Sequence, residues 1–533
     1  MLHSLRLENF KAFRGPVDIE LAPITLLFGA NSSGKSSILQ ALQVLKQTRD
    51  HSPYESTLLP RIDNGIIDLG SFSDFVFDHD ARQAVSIGLE VDPWSSGYED
   101  GDPDSLDAEP TRSPVMLSLE FVRPTPDQSI HIEAFEVSIS RGRIARFEQA
   151  DLSQHILGGE FECTWVTDDP SLWSATWKRA KQSEGRARPD NTAIALDECE
   201  RKIGKLSIDF FFDPEVSTVL QNHGVTPDRV ESFAMELAER CESFRKFRAS
   251  DPSLSEYRAR MIEAALRMRP SLEGFLPTRV DSADPWQVED QWGLDAVGTA
   301  YSAGKSVIDL LSRYVPISSL RVAPQRWYAH RGITPKHVDL SGALLPDLLF
   351  RRPELLEQTN AWLKRMDVGY SLHVDKIGRD SSDLFEIRLR DLRRAKGVDV
   401  GLTDVGFGVS QLLPIVVQCV AGVEQLVSIE QPEVHVHPRL QAEIGDLIFD
   451  ASRGDRCNQF IVETHSEHLV LRLQRKVREG KLPPDDLAIL YVERGDNGST
   501  VKRLHLDEEG EFIDEWPGGF FPERLRELFS EPP

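Results

Sequence analysis

Gly29-Ala30-Asn31-Ser32-Ser33-Gly34-Lys35-Ser36 is a complete G-x-x-x-x-G-K-[ST] loop. It lies between the apolar run Thr25 to Phe28 and a stretch from about Lys35 to Gln47 that predicts a helix. The context suits a phosphate cradle. Glycines let backbone N–H groups curl around phosphate, and the helix N-terminus adds positive potential. The Lys35 ammonium then reaches the outer phosphates, and the Ser36 hydroxyl is placed to ligate magnesium. With Gly29, Gly34 and Lys35, the residues Asn31, Ser32, Ser33 and Ser37 complete the candidate nucleotide-binding set, and ATP with Mg2+ is the expected cofactor pair.

On either side of this loop the pattern is strand-like. Ser4 to Phe13 alternates apolar and polar residues, and Val17 to Ile24 leads into the buried run. Ala84 to Val91, Val115 to Val122 and Ile130 to Ile139 alternate as half-buried antiparallel strands do, predicting a β lobe, with an acidic loop from Asp92 to Pro114 between them. From about Ser171 to Tyr314 the period lengthens. Val230, Phe233, Leu237, Cys241 and Phe244 fall on one helical face, which predicts a mainly helical insertion. After Ser318 strands and helices alternate again, ending in a strand pair, Ala488 to Val492 and Ser499 to Leu506, and a helix. The expected fold is therefore α/β, in three parts: residues 1–165, an insertion over 166–316, and 317–533. No heptad seam persists, so a long coiled-coil arm is not expected.

Three further segments belong with the loop. In Leu426-Val427-Ser428-Ile429-Glu430-Gln431-Pro432-Glu433 an apolar strand delivers acidic groups to its carboxyl end, where open α/β sheets bind ligands. Glu430 is the candidate second metal ligand beside Ser36, and Gln431 the candidate neighbour of an attacking water. Gln459-Phe460-Ile461-Val462-Glu463-Thr464-His465-Ser466 is another buried strand, ending at His465, which would meet a terminal phosphate. Val405-Gly406-Phe407-Gly408-Val409-Ser410-Gln411 is a glycine-bearing turn before the apolar helix Leu412 to Cys419, and so offers a second helix N-terminus to a phosphate.

Composition bounds the partners. The 533 residues exceed one usual core, and a net charge of -25 disfavours wholesale nucleic-acid binding, leaving a local patch as the route to DNA. Cys163, Cys199, Cys241, Cys419 and Cys457 lie far apart, which argues against a disulfide framework. Met1 to Lys11 is interspersed with charges, and the apolar run Leu412 to Ile429 is broken by Gln418, Glu424 and Gln425. A cytoplasmic protein with no membrane partner is expected.

In this order, the four segments resemble the head of an ABC-type ATPase of the RecF, SMC and OLD-like group. They are most similar to single-chain bacterial AAA/ABC ATPases ending in a small C-terminal domain of unknown function. The resemblance extends to Gly70-Ser71-Phe72-Ser73-Asp74, Leu320-Arg321-Val322-Ala323-Pro324-Gln325-Arg326, Gly406 to Pro414, Glu430 to Pro438 and the tail Trp516-Pro517-Gly518-Gly519-Phe520-Phe521, and hardly touches the insertion. It implies an ABC-type P-loop head: a mixed sheet flanked by helices plus an antiparallel β lobe, split by the insertion. It also implies a homodimer or higher even oligomer in which two heads sandwich ATP, so that Gly406, Gly408 and Gln411 approach the other copy's nucleotide. The implied role is an ATP-gated sensor or scaffold in anti-phage genome defence, beside a separate effector encoded nearby. The alternatives are a RecF/SMC-like DNA-repair ATPase that binds DNA directly and a nuclease with its site in the insertion. Two departures stand out. Gly406 occupies the usual signature serine position, and Gln431 replaces the usual catalytic glutamate, which predicts slow ATP hydrolysis because an amide cannot accept the water's proton.

Other signals carry less. His435-x-His437 and His465-x-x-His468 invite a zinc reading, but zinc needs carboxylate or thiolate company in a fixed geometry that spacing does not establish, and no D-x-D follows Glu493 and Asp496 to make a Toprim nuclease. The clusters Arg388, Arg390, Arg393, Arg394, Lys396 and Arg472, Arg475, Lys476, Arg478 read first as solvated faces, and second as DNA contacts.

Overall fold

A computed structural model describes residues 1–51, 58–92, 114–123, 125, 129–139, 142–149, 161–166, 268–273, 276–282, 291–378, 383–394 and 397–517. Two large sheets organise them. One is antiparallel, with spatial order β2 (Val17–Glu20), β1 (Leu2–Glu8), β4 (Val85–Val91), β5 (Val115–Val122), β6 (His131–Ile139), β7 (Gly142–Gln149) and β8 (Phe161–Val166). This is the predicted β lobe, and its inward residues, among them Leu5, Leu7, Ile87, Leu89, Leu117 and Phe135, are fully buried. The alternation visible in the sequence is that of strands with one face on the core.

The second sheet has the order β11 (Tyr314–Ile317), β16 (Leu426–Glu430), β17 (Gln459–Glu463), β3 (Ile24–Gly29), β18 (Leu487–Gly495) and β19 (Gly498–Leu504). All neighbours run parallel except the β18–β19 hairpin. A parallel sheet is covered on both faces, so its strands are apolar throughout rather than alternating. β3 shows this directly: Ile24, Leu26 and Phe28 enter one core cluster and Leu27 the other. Burying each such side chain contributes about 1.5–3 kcal/mol.

Helix α1 (Lys35–His51) buries Ile38, Leu39, Ala41, Leu42, Val44 and Leu45, and it runs four residues beyond the predicted end. The short α2 (Phe72–Phe75) follows Ser71, whose hydroxyl donates to Asp74 at 2.7 Å. The three-part division meets a complication in its middle part. There the described elements are a hairpin, β9 (Met268–Glu273) with β10 (Leu276–Ser282), and the helix α3 (Gln291–Arg313). Ala303, Val307 and Leu311 of α3 pack into the same core as the β lobe and α1, because the apolar stripe at three-and-four spacing faces them. The end of the supposed insertion is thus part of the core. The helical face from Val230 to Phe244 and most of the acidic loop lie outside the described residues.

The remaining layer covers the parallel sheet's other face. It contains α4 (Leu345–Arg351), α5 (Pro353–Arg365), a small sheet of β12 (Tyr328–Ala329), β14 (Leu384–Asp391), β13 (Tyr370–Lys376) and β15 (Val398–Gly401), then α6 (Phe407–Ala421), α7 (Pro438–Ala451) and α8 (Glu467–Arg478). No helix among the described residues is long and apolar enough to cross a membrane.

Candidate functional site

The carboxyl ends of three neighbouring parallel strands converge at the loop. β3 ends at Gly29, β16 at Glu430 and β17 at Glu463, and the register sets Glu430 directly opposite Glu463. Parallel strands bring their last residues to one edge, which is where α/β sheets take ligands.

The loop requires its glycines. Gly29 has φ +144°, and a Cβ there would lie 2.2 Å from the Val492 carbonyl oxygen; Gly34, at φ +105°, would meet the Ala12 methyl at 2.9 Å. Neither position admits another residue without displacing backbone. Asn31, Ser32 and Ser36 are exposed, whereas Ser33, Lys35 and Ser37 are buried. The C-terminal hairpin braces the loop from behind: Ser499 donates through its hydroxyl to the Ser33 carbonyl at 2.7 Å and through its N–H to Ala12 at the same distance.

Lys35 donates to the carbonyls of Gly29 at 3.1 Å and Ala30 at 2.8 Å, so its ammonium is folded back over its own loop. Burial lowers its pKa, and the nearby Glu463 and Glu433 oppose that shift. Ser33 is 2 % exposed, and its hydroxyl oxygen has no hydrogen-bond partner among the described residues. A buried hydroxyl left unmatched costs free energy, and a phosphate in the loop is the kind of acceptor that would satisfy it.

The acidic side of the site contains one residue that the sequence pattern did not single out. Ser36 donates to Glu463 at 2.9 Å, while Glu430 accepts from the Gln43 amide at 3.1 Å. Burial raises the pKa of Glu463 above the usual carboxylate value; the Ser36 hydrogen bond and the Lys35 charge oppose the rise, and Glu430 and Glu433 add to it. Its signal was present in the sequence: an ionisable residue closing the apolar run Phe460 to Val462. The attention that Thr464-His465 draws in this segment passes it over.

Beyond β16 the chain turns sharply. Gln431 has φ +45° and gives its N–H to the Glu463 carbonyl at 2.7 Å. A glutamine in the left-handed region is an uncommon conformation that concentrates at functional sites. Glu433 ties the turn to the next strand, accepting from the Thr464 hydroxyl at 2.7 Å and the His465 N–H at 2.6 Å. His465 is half-buried; burial lowers its pKa and the Lys35 charge lowers it further, so the neutral imidazole is favoured. Lys35, Ser36, Glu430, Gln431 and His465 are thus gathered at one sheet edge.

The Gly406–Gln411 segment is arranged differently. Helix α6 begins at Phe407 with Gly406 as its cap, so Gly408 lies in the first helical turn. A Cβ on Gly408 would stand 2.4 Å from the His435 carbonyl oxygen, so a packing contact within the chain also requires that glycine. Gln411 is 1 % exposed and its amide donates to the Arg321 carbonyl at 3.4 Å. In this conformation Gly406 and Phe407 are the residues presented at the surface.

Arg321, also quoted above only within a longer stretch, joins the two regions. Its guanidinium donates to the carbonyls of Glu430 at 3.0 Å, Gln431 at 3.5 Å and Gln411 at 3.4 Å. Burial pushes its pKa down to about 10 against the attraction of Glu433 and Glu430. A planar guanidinium can span these carbonyls where a lysine could not.

The histidine pairs have other duties. His437 caps α7 by accepting from Arg439 N–H at 3.2 Å, and His435 stands edge-on to Phe407. Among the described residues no group of three or more His, Cys, Asp or Glu could hold a metal by itself. The basic clusters are largely matched by acids: Arg390 with Asp399, Arg393 with Asp391, Arg475 with Glu479, Lys476 with Asp446 and Arg478 with Glu511.

Three family models match parts of the chain. Residues 1–222 match the model described as "AAA ATPase domain", and residues 255–472 match "AAA domain, putative AbiEii toxin, Type IV TA system". Residues 482–530 match a family described as "Protein of unknown function (DUF3696)". No curated protein matches. Solved structures similar to the chain include an Smc head domain with an extended coiled coil bound to the C-terminal domain of ScpA, from Pyrococcus furiosus (12 % identity, 99 % of this chain and 98 % of that one, TM-score 0.37). Others are the SMC head domain from Thermotoga maritima (10 %, 95 % and 99 %, 0.35) and an Smc head domain with a coiled coil and joint from Pyrococcus yayanosii (13 %, 99 % and 99 %, 0.37). Likeness at these TM-scores is too loose to bear on the fold, which rests on the strand order above. The family matches support an ATPase with AAA-type domains.

Proposed function

We propose that this protein binds ATP with Mg2+ at the Gly29–Ser37 loop and hydrolyses it slowly, as an ABC-type head that pairs with a second copy when nucleotide is bound. The observation that carries this is the convergence of the loop, with its unmatched buried Ser33 hydroxyl, and the acidic ends of β16 and β17 at one sheet edge. Hard oxygen donors, the Ser36 hydroxyl and the Glu430 carboxylate, suit magnesium and would hold it; when bound, the cation neutralises charge on the phosphates.

The protein's own groups divide the remaining work. Lys35 exchanges two backbone carbonyls for the outer phosphates. Loop N–H groups and the start of α1 hold the phosphate oxygens. Gln431, fixed by its N–H bond to Glu463, orients the attacking water without taking its proton, so positioning rather than base catalysis sets the rate. Neutral His465 donates to or accepts from the terminal phosphate region. The exposed Gly406 and Phe407 form the face offered to a second copy's nucleotide, with Gly408 and Gln411 supporting it from within.

A defence role, as sensor or scaffold for a separate effector, is supported by the family resemblance. Direct DNA binding is the second reading, and the acid-matched basic clusters speak against it. The test is mass in solution with and without a slowly hydrolysed ATP analogue, together with the ATPase rate of Gln431→Glu. Nucleotide is expected to double the mass, and the carboxylate to raise turnover or shorten dimer lifetime. A mass and rate indifferent to both changes would contradict the proposal.

A further inference from the structure

We infer that Glu463, rather than Glu430 alone, supplies the carboxylate on which cation binding at this site chiefly depends, acting with Ser36. The inference rests on the reading of the loop as a Mg–nucleotide site and assigns that site a residue outside the motif pattern. Its first ground is geometric. Ser36, the loop hydroxyl expected at the cation, is exposed yet already held by Glu463 at 2.9 Å, while Glu430 is engaged by Gln43.

The second ground is electrostatic. Glu463 is 5 % exposed and lies opposite Glu430 in register; the Ser36 hydroxyl and the nearby Lys35 charge offset part of the cost of burying it, although the ammonium itself donates to the carbonyls of Gly29 and Ala30 and not to a carboxylate. A buried carboxylate beside a second carboxylate is costly unless positive charge compensates it. A divalent cation at the Ser36 hydroxyl would supply that charge. The third ground is independent of the carboxylates: the unmatched, buried Ser33 hydroxyl points to an acceptor missing from the loop itself. Together these point to an anionic ligand at the loop and a cation held by Ser36 and Glu463.

The experiment titrates Mn2+ into the full-length chain with a non-hydrolysable ATP analogue, following free Mn2+ by electron paramagnetic resonance. Analogue affinity in EDTA is measured in parallel by fluorescence anisotropy. Glu463→Gln is expected to raise the Mn2+ concentration for half-saturation by about 10- to 100-fold, and Glu430→Gln by less, with affinity in EDTA changed less than about twofold in each. Wild-type Mn2+ dependence in Glu463→Gln, or an equal loss of analogue binding in EDTA, overturns the inference. Should Glu463→Gln fail to fold, Glu463→Asp decides, since it withdraws the carboxylate by one methylene: a rise of several-fold is expected, and an unchanged value overturns it. If the wild-type chain binds no analogue under either condition, the nucleotide reading itself has failed, a result distinct from both.

Discussion

The loop at Gly29–Ser37 and the segment at Gly406–Gln411 are both glycine-bearing turns that open a helix, and in sequence they look like two versions of one device. In the fold they differ. The first leaves a buried hydroxyl unmatched, keeps Asn31, Ser32 and Ser36 exposed, and faces three carboxylates. The second spends its polar groups inside the chain, with Gln411 bonded to Arg321 and Gly408 against the His435 carbonyl. A glycine next to a helix start is therefore ambiguous until its Cβ direction is known: at Gly29 and Gly34 the space is kept for the loop's path, and at Gly408 for packing.

The comparison can be broken most severely at Gly29. Gly29→Ala puts a methyl into the Val492 carbonyl at a positive φ. It should cost about 3 kcal/mol or more, combining strain with overpacking, and should abolish nucleotide binding. Chemical denaturation with an unchanged m-value measures the loss. A variant as stable as wild type would mean that the loop path is not fixed by the C-terminal hairpin.

Gly408→Ala sharpens the other half. Alanine favours helices over glycine by up to about 1 kcal/mol, so a surface-only role predicts stabilisation. The His435 contact predicts the opposite sign, a net loss of about 1–2 kcal/mol. A midpoint shift toward higher denaturant would show that Gly408 is reserved for a partner and not for packing.

A smaller effect is expected at the joint between the regions. Arg321→Lys keeps the charge but cannot reach the carbonyls of Glu430, Gln431 and Gln411 together, so stability should fall by about 1–2 kcal/mol. Turnover should slow while analogue affinity stays within about twofold, because the Gln431 turn loosens and the loop does not. Equal loss in affinity and turnover would place Arg321 among the binding groups.

These regions were unequally legible. The loop declared itself because its chemistry is local: eight consecutive residues, one strand before and one helix after. The β lobe was legible through period-two alternation, which one-sided burial imposes on Ala84 to Val91 and Val115 to Val122. Glu463 and Arg321 were not singled out because their roles depend on parallel register and on a contact across about a hundred residues, and neither leaves a periodic trace. Helix α3 falls within the bounds expected for the insertion, and only its partners, α1 and the β lobe, reveal that it belongs to the core.

The central claim is that the Gly29–Ser37 loop is the ATP site, and equilibrium binding of a fluorescent ATP analogue to wild type and Lys35→Ala tests it most directly. Removing the ammonium should leave far-UV circular dichroism unchanged and weaken binding by about 10- to 150-fold, the equivalent of about 1.5–3 kcal/mol for a hydrogen bond to a charged group. Equal affinity in the two folded proteins would contradict the claim.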